Sequence, residues 1–286
     1  MQETIKVKID DLIFDCRTDG DKENELVIFL HGWPETSYMW KKLMSHFSEK
    51  GFYCVAPNLR GYSKDACPKG KKHYSLDKLA KDILGISKFL NTQKFHLVGH
   101  DWGAIIGWKI VHDYQDRILS WTGISVPHYQ AFGKAIVADT EQRKMSQYVK
   151  NFQLPYLPEE GIRKDDFKIL RKLWKNSEPS EIDDYLKVFR NPKQLTASIN
   201  YYRSNYTLLK KAAKDTILGD INVPTLFIWG KKDIAIGSYA VNESHQYMKN
   251  DYEFIELDSG HWLIQTKYHE LENAITKHVL KYQSVT

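Results

Sequence analysis

Val98-Gly99-His100-Asp101-Trp102-Gly103 closes a short apolar run, Phe95 to Val98, and opens a helix-like one, Ala104 to Tyr114. Gly-x-nucleophile-x-Gly at a strand-to-helix junction is a nucleophile elbow. Its turn is so sharp that Cβ atoms on either side of the central residue have no room, hence the flanking glycines. Here the central residue is Asp101 and not serine, which redirects the chemistry. A serine hydroxyl has to lose its proton before it attacks. A carboxylate, with a reference pKa of about 3.9, is already ionised at neutral pH. Asp101 is therefore expected to attack carbon directly and form an alkyl ester, leaving a histidine free to activate water for the cleavage of that ester. An acid and a histidine should then follow, in the order nucleophile, acid, His.

On the N-terminal side of the elbow, Ile5, Val7 and Ile9 alternate as in a half-buried strand, with Leu12 to Cys16 as a hairpin partner. Leu26-Val27-Ile28-Phe29-Leu30 is an unbroken apolar run suited to a strand covered on both faces, and His31-Gly32-Trp33-Pro34 follows it. A helix is expected from near Ser37, a strand over Phe52 to Ala56, a long loop over Asn58 to His73, and a helix capped by Ser75. On the C-terminal side a strand runs from Ile118 to Ser125. Strands alternating with amphipathic helices imply a mostly parallel sheet flanked by helices on both faces, an α/β fold.

That alternation stops at Val126-Pro127-His128 and resumes at Pro224-Thr225-Leu226-Phe227-Ile228-Trp229, followed by a strand over Tyr252 to Leu257 and a helix over about Glu270 to Tyr282. Between them, Tyr129 to about Thr216 shows helical spacing only. The expected organisation is a core of residues 1–128 and 217–286, with residues 129–216 inserted as an all-helical cap over the sheet's carboxyl edge, where open α/β sheets bind ligands.

The chain has 286 residues, 42% hydrophobic and 27% charged, as suits a globular protein with a sizeable core. Its net charge of +5 is spread among acids, and its densest basic cluster, Lys69, Lys71 and Lys72, is too short to signal nucleic acid or a membrane. Three cysteines without C-x-x-C spacing argue against a disulfide framework or a zinc site and fit a reducing compartment. With no apolar leader in Met1 to Asp11 and no run near the roughly 18 apolar residues of a membrane span, the expected location is the cytoplasm. No cofactor or metal is expected, and the expected assembly is a monomer or homodimer.

Downstream of the elbow, Trp229-Gly230-Lys231-Lys232-Asp233 places Asp233 just beyond one strand, and Asp258-Ser259-Gly260-His261 places His261 just beyond the next. Both then lie on the edge that bears Asp101. Asp258 and Asp220 are weaker candidates for the acid, and His31 and His100 are expected to pack and hydrogen-bond. The backbone N–H groups of Trp33 and Trp102 are candidates for an oxyanion hole, since Pro34 has no N–H to offer. Phe152 and Trp262 are expected to line an apolar substrate pocket.

Five segments together make the chain resemble the α/β-hydrolase superfamily, in its epoxide hydrolase and haloalkane dehalogenase branch, over nearly its whole length. They are His31-Gly32-Trp33-Pro34-Glu35, Gly99-His100-Asp101-Trp102-Gly103, Ser125-Val126-Pro127-His128, Trp229 to Asp233, and Gly260-His261. The resemblance implies an aspartate that attacks carbon, an Asp-His pair that hydrolyses the ester, and a cis peptide before Pro34. Epoxide hydrolases of this branch use two cap tyrosines to bind and protonate the epoxide oxygen, a step that needs an acid because the alkoxide is a poor leaving group. Tyr202, in Asn200-Tyr201-Tyr202-Arg203, resembles one of them, and Tyr148, four residues before Phe152-Gln153, the other. The implied reaction is hydrolysis of a small apolar epoxide by water to a vicinal diol. The alternatives are a haloalkane or haloacid dehalogenase using the same nucleophile, and a hydrolase-fold protein that binds a small ligand without turning it over. Trp33 stands where haloalkane dehalogenases often have Asn, and Trp102 where fluoroacetate dehalogenases have Arg, so these departures favour the epoxide.

Overall fold

A computed structural model describes residues 2–212 and 218–284. Eight strands form one sheet: β1 (Glu3–Ile9), β2 (Leu12–Asp19), β3 (Leu26–Leu30), β4 (Tyr53–Pro57), β5 (Phe95–His100), β6 (Ile118–Ile124), β7 (Thr225–Gly230) and β8 (Tyr252–Leu257). Their spatial order is β1-β2-β4-β3-β5-β6-β7-β8. The β1–β2 and β2–β4 pairs are antiparallel and the rest parallel. β3, β4, β5 and β7 are buried along their whole length, as continuous apolar runs in a two-sided parallel sheet should be. β8, at the edge, is half-buried to exposed.

The chain steps from β3 to β4 on one side and then to β5 on the other, so the strand order reverses at β3. At such a switch point the carboxyl ends of the two strands flank a crevice. Here those ends carry Trp33 and Asp101.

The core helices are α1 (Lys41–Glu49), α2 (Leu76–Phe89), α3 (Trp102–Asp113), and, after the insertion, α10 (Ser238–Ser244), α11 (Leu263–Thr266) and α12 (Tyr268–Lys281). α1 and α12 share one face, joined by His46 to Glu272 at 3.0 Å, while α2 packs on α3. Ser75 occupies the N-cap of α2 but makes no capping bond with its side chain. The Leu76 amide is satisfied instead by Asn205 Oδ1 at 2.8 Å, from a helix of the insertion. α10 went unanticipated; it is short, and its Ser244 Oγ accepts the His128 amide at 3.0 Å.

Between β6 and β7 lie α4 (Tyr129–Ala138), α5 (Thr140–Met145), α6 (Gln147–Asn151), α7 (Leu157–Leu173), α8 (Pro179–Phe189) and α9 (Pro192–Ala212). The end of the insertion expected at 216 and the core's resumption at 217 fall outside the described residues. Met145, Tyr148, Val149 and Phe152 have the spacing of one apolar helical stripe, but the helix is broken at Ser146, between α5 and α6. α7 is two helical pieces, split where Asp165, Asp166 and Phe167 take positive φ. The insertion is tied to the core by side-chain contacts. Tyr201 donates to the Arg60 carbonyl at 2.7 Å, Gln194 to that of Tyr62 at 2.6 Å, and Arg17 pairs with Asp184 at 2.6 Å. Among the described residues no helix is long and apolar enough to cross a membrane.

Candidate active site

Asp101 sits between the last residue of β5 and the first of α3, with φ 53° and ψ −117°. A non-glycine residue enters this region at a cost, and it does so only where its neighbours leave no alternative. The neighbours here are glycines for a reason of distance. A Cβ on Gly99 would stand 2.5 Å from the Gly103 carbonyl oxygen, one on Gly103 2.1 Å from that of Leu30, and one on Gly32 2.3 Å from Asp101 Cβ. Strand β3, the elbow and the His31-Gly32 corner are thus packed backbone against backbone. The Trp33–Pro34 peptide is cis.

That close packing brings the Trp33 amide to Asp101 Oδ1, a bond of 2.6 Å. Among the described residues the Trp102 amide forms no hydrogen bond to the same carboxylate. Oδ2 faces His261 Nε2 at 3.6 Å. On the other side of the imidazole, Nδ1 donates to Asp233 Oδ2 at 2.9 Å. Asp233 is fully engaged: Oδ1 accepts the amides of Ala235 and Ile236 at 2.7 and 3.1 Å, and Oδ2 accepts Ser125 Oγ at 2.7 Å. Burial works against its charge, but the facing His261 and these donors outweigh it and hold the carboxyl below the usual range. Burial likewise pulls the His261 pKa down, and the charge of Asp233 together with the contact to Asp101 more than reverses this, raising it to about 10. A cation between two carboxylates is the expected state of the free site.

Tyr148, from α6, and Tyr202, from α9, lie over Asp101 with ring centroids 5.8 Å apart. Tyr202 also packs edge-on against Trp102 at 5.1 Å and Trp33 at 6.1 Å. Burial first, then the charge of Asp101, pushes the Tyr148 hydroxyl far above the ordinary phenol range. Burial and the neighbouring Tyr148 do the same to Tyr202. Both stay protonated, and therefore able to donate, throughout the physiological range.

Phe152 and Trp262 line a cavity of about 340 Å3 that also reaches Asp101, Tyr148, Tyr202 and His261. All the candidates Asp101, Asp233, His261, Tyr148, Tyr202, Trp33, Trp102, Phe152 and Trp262 therefore converge on one place. Asp258 and Asp220 do not; they are solvent-exposed partners of Lys232 at 2.8 Å and Lys249 at 3.6 Å. His31 and His100 act as hydrogen-bonding residues. His31 Nε2 accepts the Leu59 amide at 3.1 Å, and His100 Nε2 donates to the His261 carbonyl at 2.9 Å.

Two contributors were not singled out from the sequence. Ser125, at the end of β6, touches Asp233 and lies 2.8 Å from His261 Nδ1. Its position beyond a central strand, between the elbow strand and the strand of Asp233, was the available signal. Glu35, fully buried, lies 3.3 Å from His100 Nδ1 and accepts Gln265 at 2.8 Å. Among the described residues no group of three or more His, Cys, Asp or Glu side chains could share a metal ion.

Residues 25–268 match the family model described as alpha/beta hydrolase fold. The chain is 30% identical over 273 residues to human epoxide hydrolase 4, covering 91% of this chain and 74% of that protein. It is 29% identical to epoxide hydrolase 3 of Xenopus tropicalis, covering 97% and 77%. Among solved structures it is similar to a Bacillus megaterium epoxide hydrolase bound to an inhibitor, with TM-score 0.87 and 25% identity, over 96% of this chain and 100% of that one.

Proposed function

The chain belongs to the α/β-hydrolase fold family, in its epoxide hydrolase-like branch, and on that footing we propose that it hydrolyses a small apolar epoxide to a vicinal diol. The observation that carries this reading is one carboxylate, Asp101, held at 2.6 Å by the Trp33 amide, facing His261 at 3.6 Å, beneath two buried phenols. Residues 129–212, with the chain that follows them to 216, act as a cap that supplies those phenols.

In the first step Asp101 Oδ2, the oxygen left free by the Trp33 amide, attacks an epoxide carbon. The carbon–oxygen bond breaks, its electron pair goes to oxygen, and Tyr148 or Tyr202 supplies the proton. Proton donation of this kind typically contributes about 10²–10⁴ in rate. An alkyl ester of Asp101 and a tyrosinate result. Esterification removes one of the two negative charges that hold up the His261 pKa, so the imidazolium can now pass its proton through water to the tyrosinate, which restores the phenol, and serve as a base. It takes a proton from water, the hydroxide adds to Asp101 Cγ, and the oxyanion that forms on Oδ1 keeps the Trp33 amide as its donor. The Trp102 amide is the second donor of this oxyanion hole, and each such donor is typically worth about 10²–10³ in rate. Collapse breaks the bond between Cγ and the ester oxygen, that oxygen takes the proton of the new carboxyl group and leaves in the diol, and His261 ends protonated, as it began. Asp233 and Ser125 hold the imidazole in place throughout.

The described cysteines, Cys16, Cys54 and Cys67, are free thiols, which supports a cytoplasmic protein. Dehalogenation is the second reading because Trp33 Nε1 is buried beside the same cavity with no partner among the described residues, and a leaving halide needs such a donor. Two phenols above the carboxylate favour the epoxide, whose oxygen needs a proton. His261→Gln tests the scheme: incubation with styrene oxide should leave a mass increase equal to the epoxide on the peptide carrying Asp101. No adduct with any epoxide, together with halide release from haloalkanes by the unaltered protein, would reverse the order of the two readings.

A further inference from the structure

Among the described residues ten large apolar side chains are exposed, and five of them gather at one place. Leu154, Tyr156 and Leu157 occupy the turn from α6 into α7, Ile169 lies further along α7, and Ile234 follows β7. Ile169 and Ile234 line the cavity above Asp101 and, being exposed, form its mouth. Asn151 and Ile162 line the same cavity, and the turn that joins them belongs to the same rim. Arg203 fixes that turn, donating to the Phe152 and Leu154 carbonyls at 2.9 and 2.6 Å. Tyr156 and Leu157 are the barest, 78% and 61% exposed. Apolar groups scattered singly over a surface need no explanation, but a cluster around a cavity mouth marks a surface that docks on something.

The rim is also net positive. Residues 150–175 carry seven basic side chains and four acidic ones, and two of the acids, Glu159 and Asp166, are already paired with Arg203 and Arg171. Lys150, Lys168 and Lys172 are exposed and form no ion pair among the described residues. Lys231 and Lys232, beside Ile234, share the single carboxylate of Asp258. No basic run in the sequence announces this surface, because the fold assembles it from two segments far apart in the chain. We propose that the rim docks on a bilayer that carries anionic lipid, with the cavity mouth turned toward the membrane. The apolar side chains enter the headgroup boundary while the lysines lie over the lipid phosphates. An apolar ligand then reaches the cavity without crossing water. A second copy of this chain fits the rim less well, since a two-fold contact would set one net-positive surface against itself. The docking does not rest on the hydrolase reading, and its test needs no epoxide.

Flotation of the full chain with vesicles of phosphatidylcholine, alone or with an equal part of phosphatidylglycerol, measures the docking. The protein should float with the anionic vesicles about tenfold or more better than with the neutral ones. Raising salt from about 0.1 M to about 1 M shortens the screening length from about 10 Å to about 3 Å and should release it. A basic side chain near an anionic surface is worth about fivefold in binding, so reversing two of them, Lys168→Glu with Lys172→Glu, should lower binding about 25-fold or more. Tyr156→Glu with Leu157→Glu should lower it about tenfold or more. Phe89→Glu, an exposed position at the far end of α2, should change nothing. No flotation with anionic vesicles, equal flotation with neutral ones, or flotation that both double variants retain would overturn the proposal. So would an equal loss in Phe89→Glu. A lipid-free dimer that Tyr156→Glu with Leu157→Glu dissociates would also overturn it, and would make a second copy the occupant of this face.

Discussion

Asp101 carries positive φ, and a residue held there typically costs about 1–3 kcal/mol. The cost is tolerated because the surrounding backbone leaves no room for another path, as the contacts at Gly32, Gly99 and Gly103 show. The same contacts aim one carboxylate oxygen at the Trp33 amide and leave the other free. The two phenols above it make the sharper residue-scale prediction. Tyr148→Phe and Tyr202→Phe should each slow formation of the Asp101 ester, and the double variant should lose about 10²–10⁴ in that step. Rapid mixing with styrene oxide, followed by quench and mass analysis, measures ester formation directly. Ester forming at the wild-type rate in the double variant would remove the tyrosines from the mechanism.

At the scale of elements, the most informative contact is the one that replaces an expected cap. Ser75 has the residue type and the backbone of an N-cap, yet Asn205 of α9 takes that role from far along the chain, and it also donates to the Tyr74 carbonyl at 2.9 Å. Asn205→Ala should destabilise the protein by about 1 kcal/mol or somewhat more, the scale of a lost cap. Denaturant melts check this, and a cost within error of zero would mean that Ser75 or water takes over. The strands and the core helices α2, α3 and α12 were legible because their periodicities are local. β8 matches its expected bounds, and α12 and β7 differ from theirs by a residue or two. The break at Ser146, the split in α7 and the cap from Asn205 were not legible, because each depends on partners far away in sequence. The site followed the same division. Asp101, Asp233 and His261 announce themselves by residue type just beyond strands, whereas Ser125 and Glu35 matter only through what they touch. Tyr148 and Tyr202 stood out among 17 tyrosines only by resemblance to a family.

For the whole molecule, the fold stores histidines in opposite states. His261 is held protonated, with its pKa raised to about 10, so its contribution to stability is complete below the unfolded value near 6.5 and fades as pH rises toward 10. Burial holds His31 at about 4, His278 at about 4 and His128 at about 3, all neutral. Their contribution is present above about 6.5 and is lost as pH falls toward their folded values, since the unfolded chain then binds protons that the folded one refuses. Thermal melts should therefore hold a plateau near pH 7 and fall steadily from pH 6.5 to 4. A Tm independent of pH over that range would contradict the burial of these three rings. Sheet, elbow and insertion converge on a single carboxylate, and its proposed bond to substrate carbon is what has to be tested most directly. With enzyme in excess over styrene oxide in water labelled with oxygen-18, one turnover should yield unlabelled diol and a labelled Asp101 side chain. Label appearing in the diol on that first turnover would mean that water, and not Asp101, attacks the epoxide.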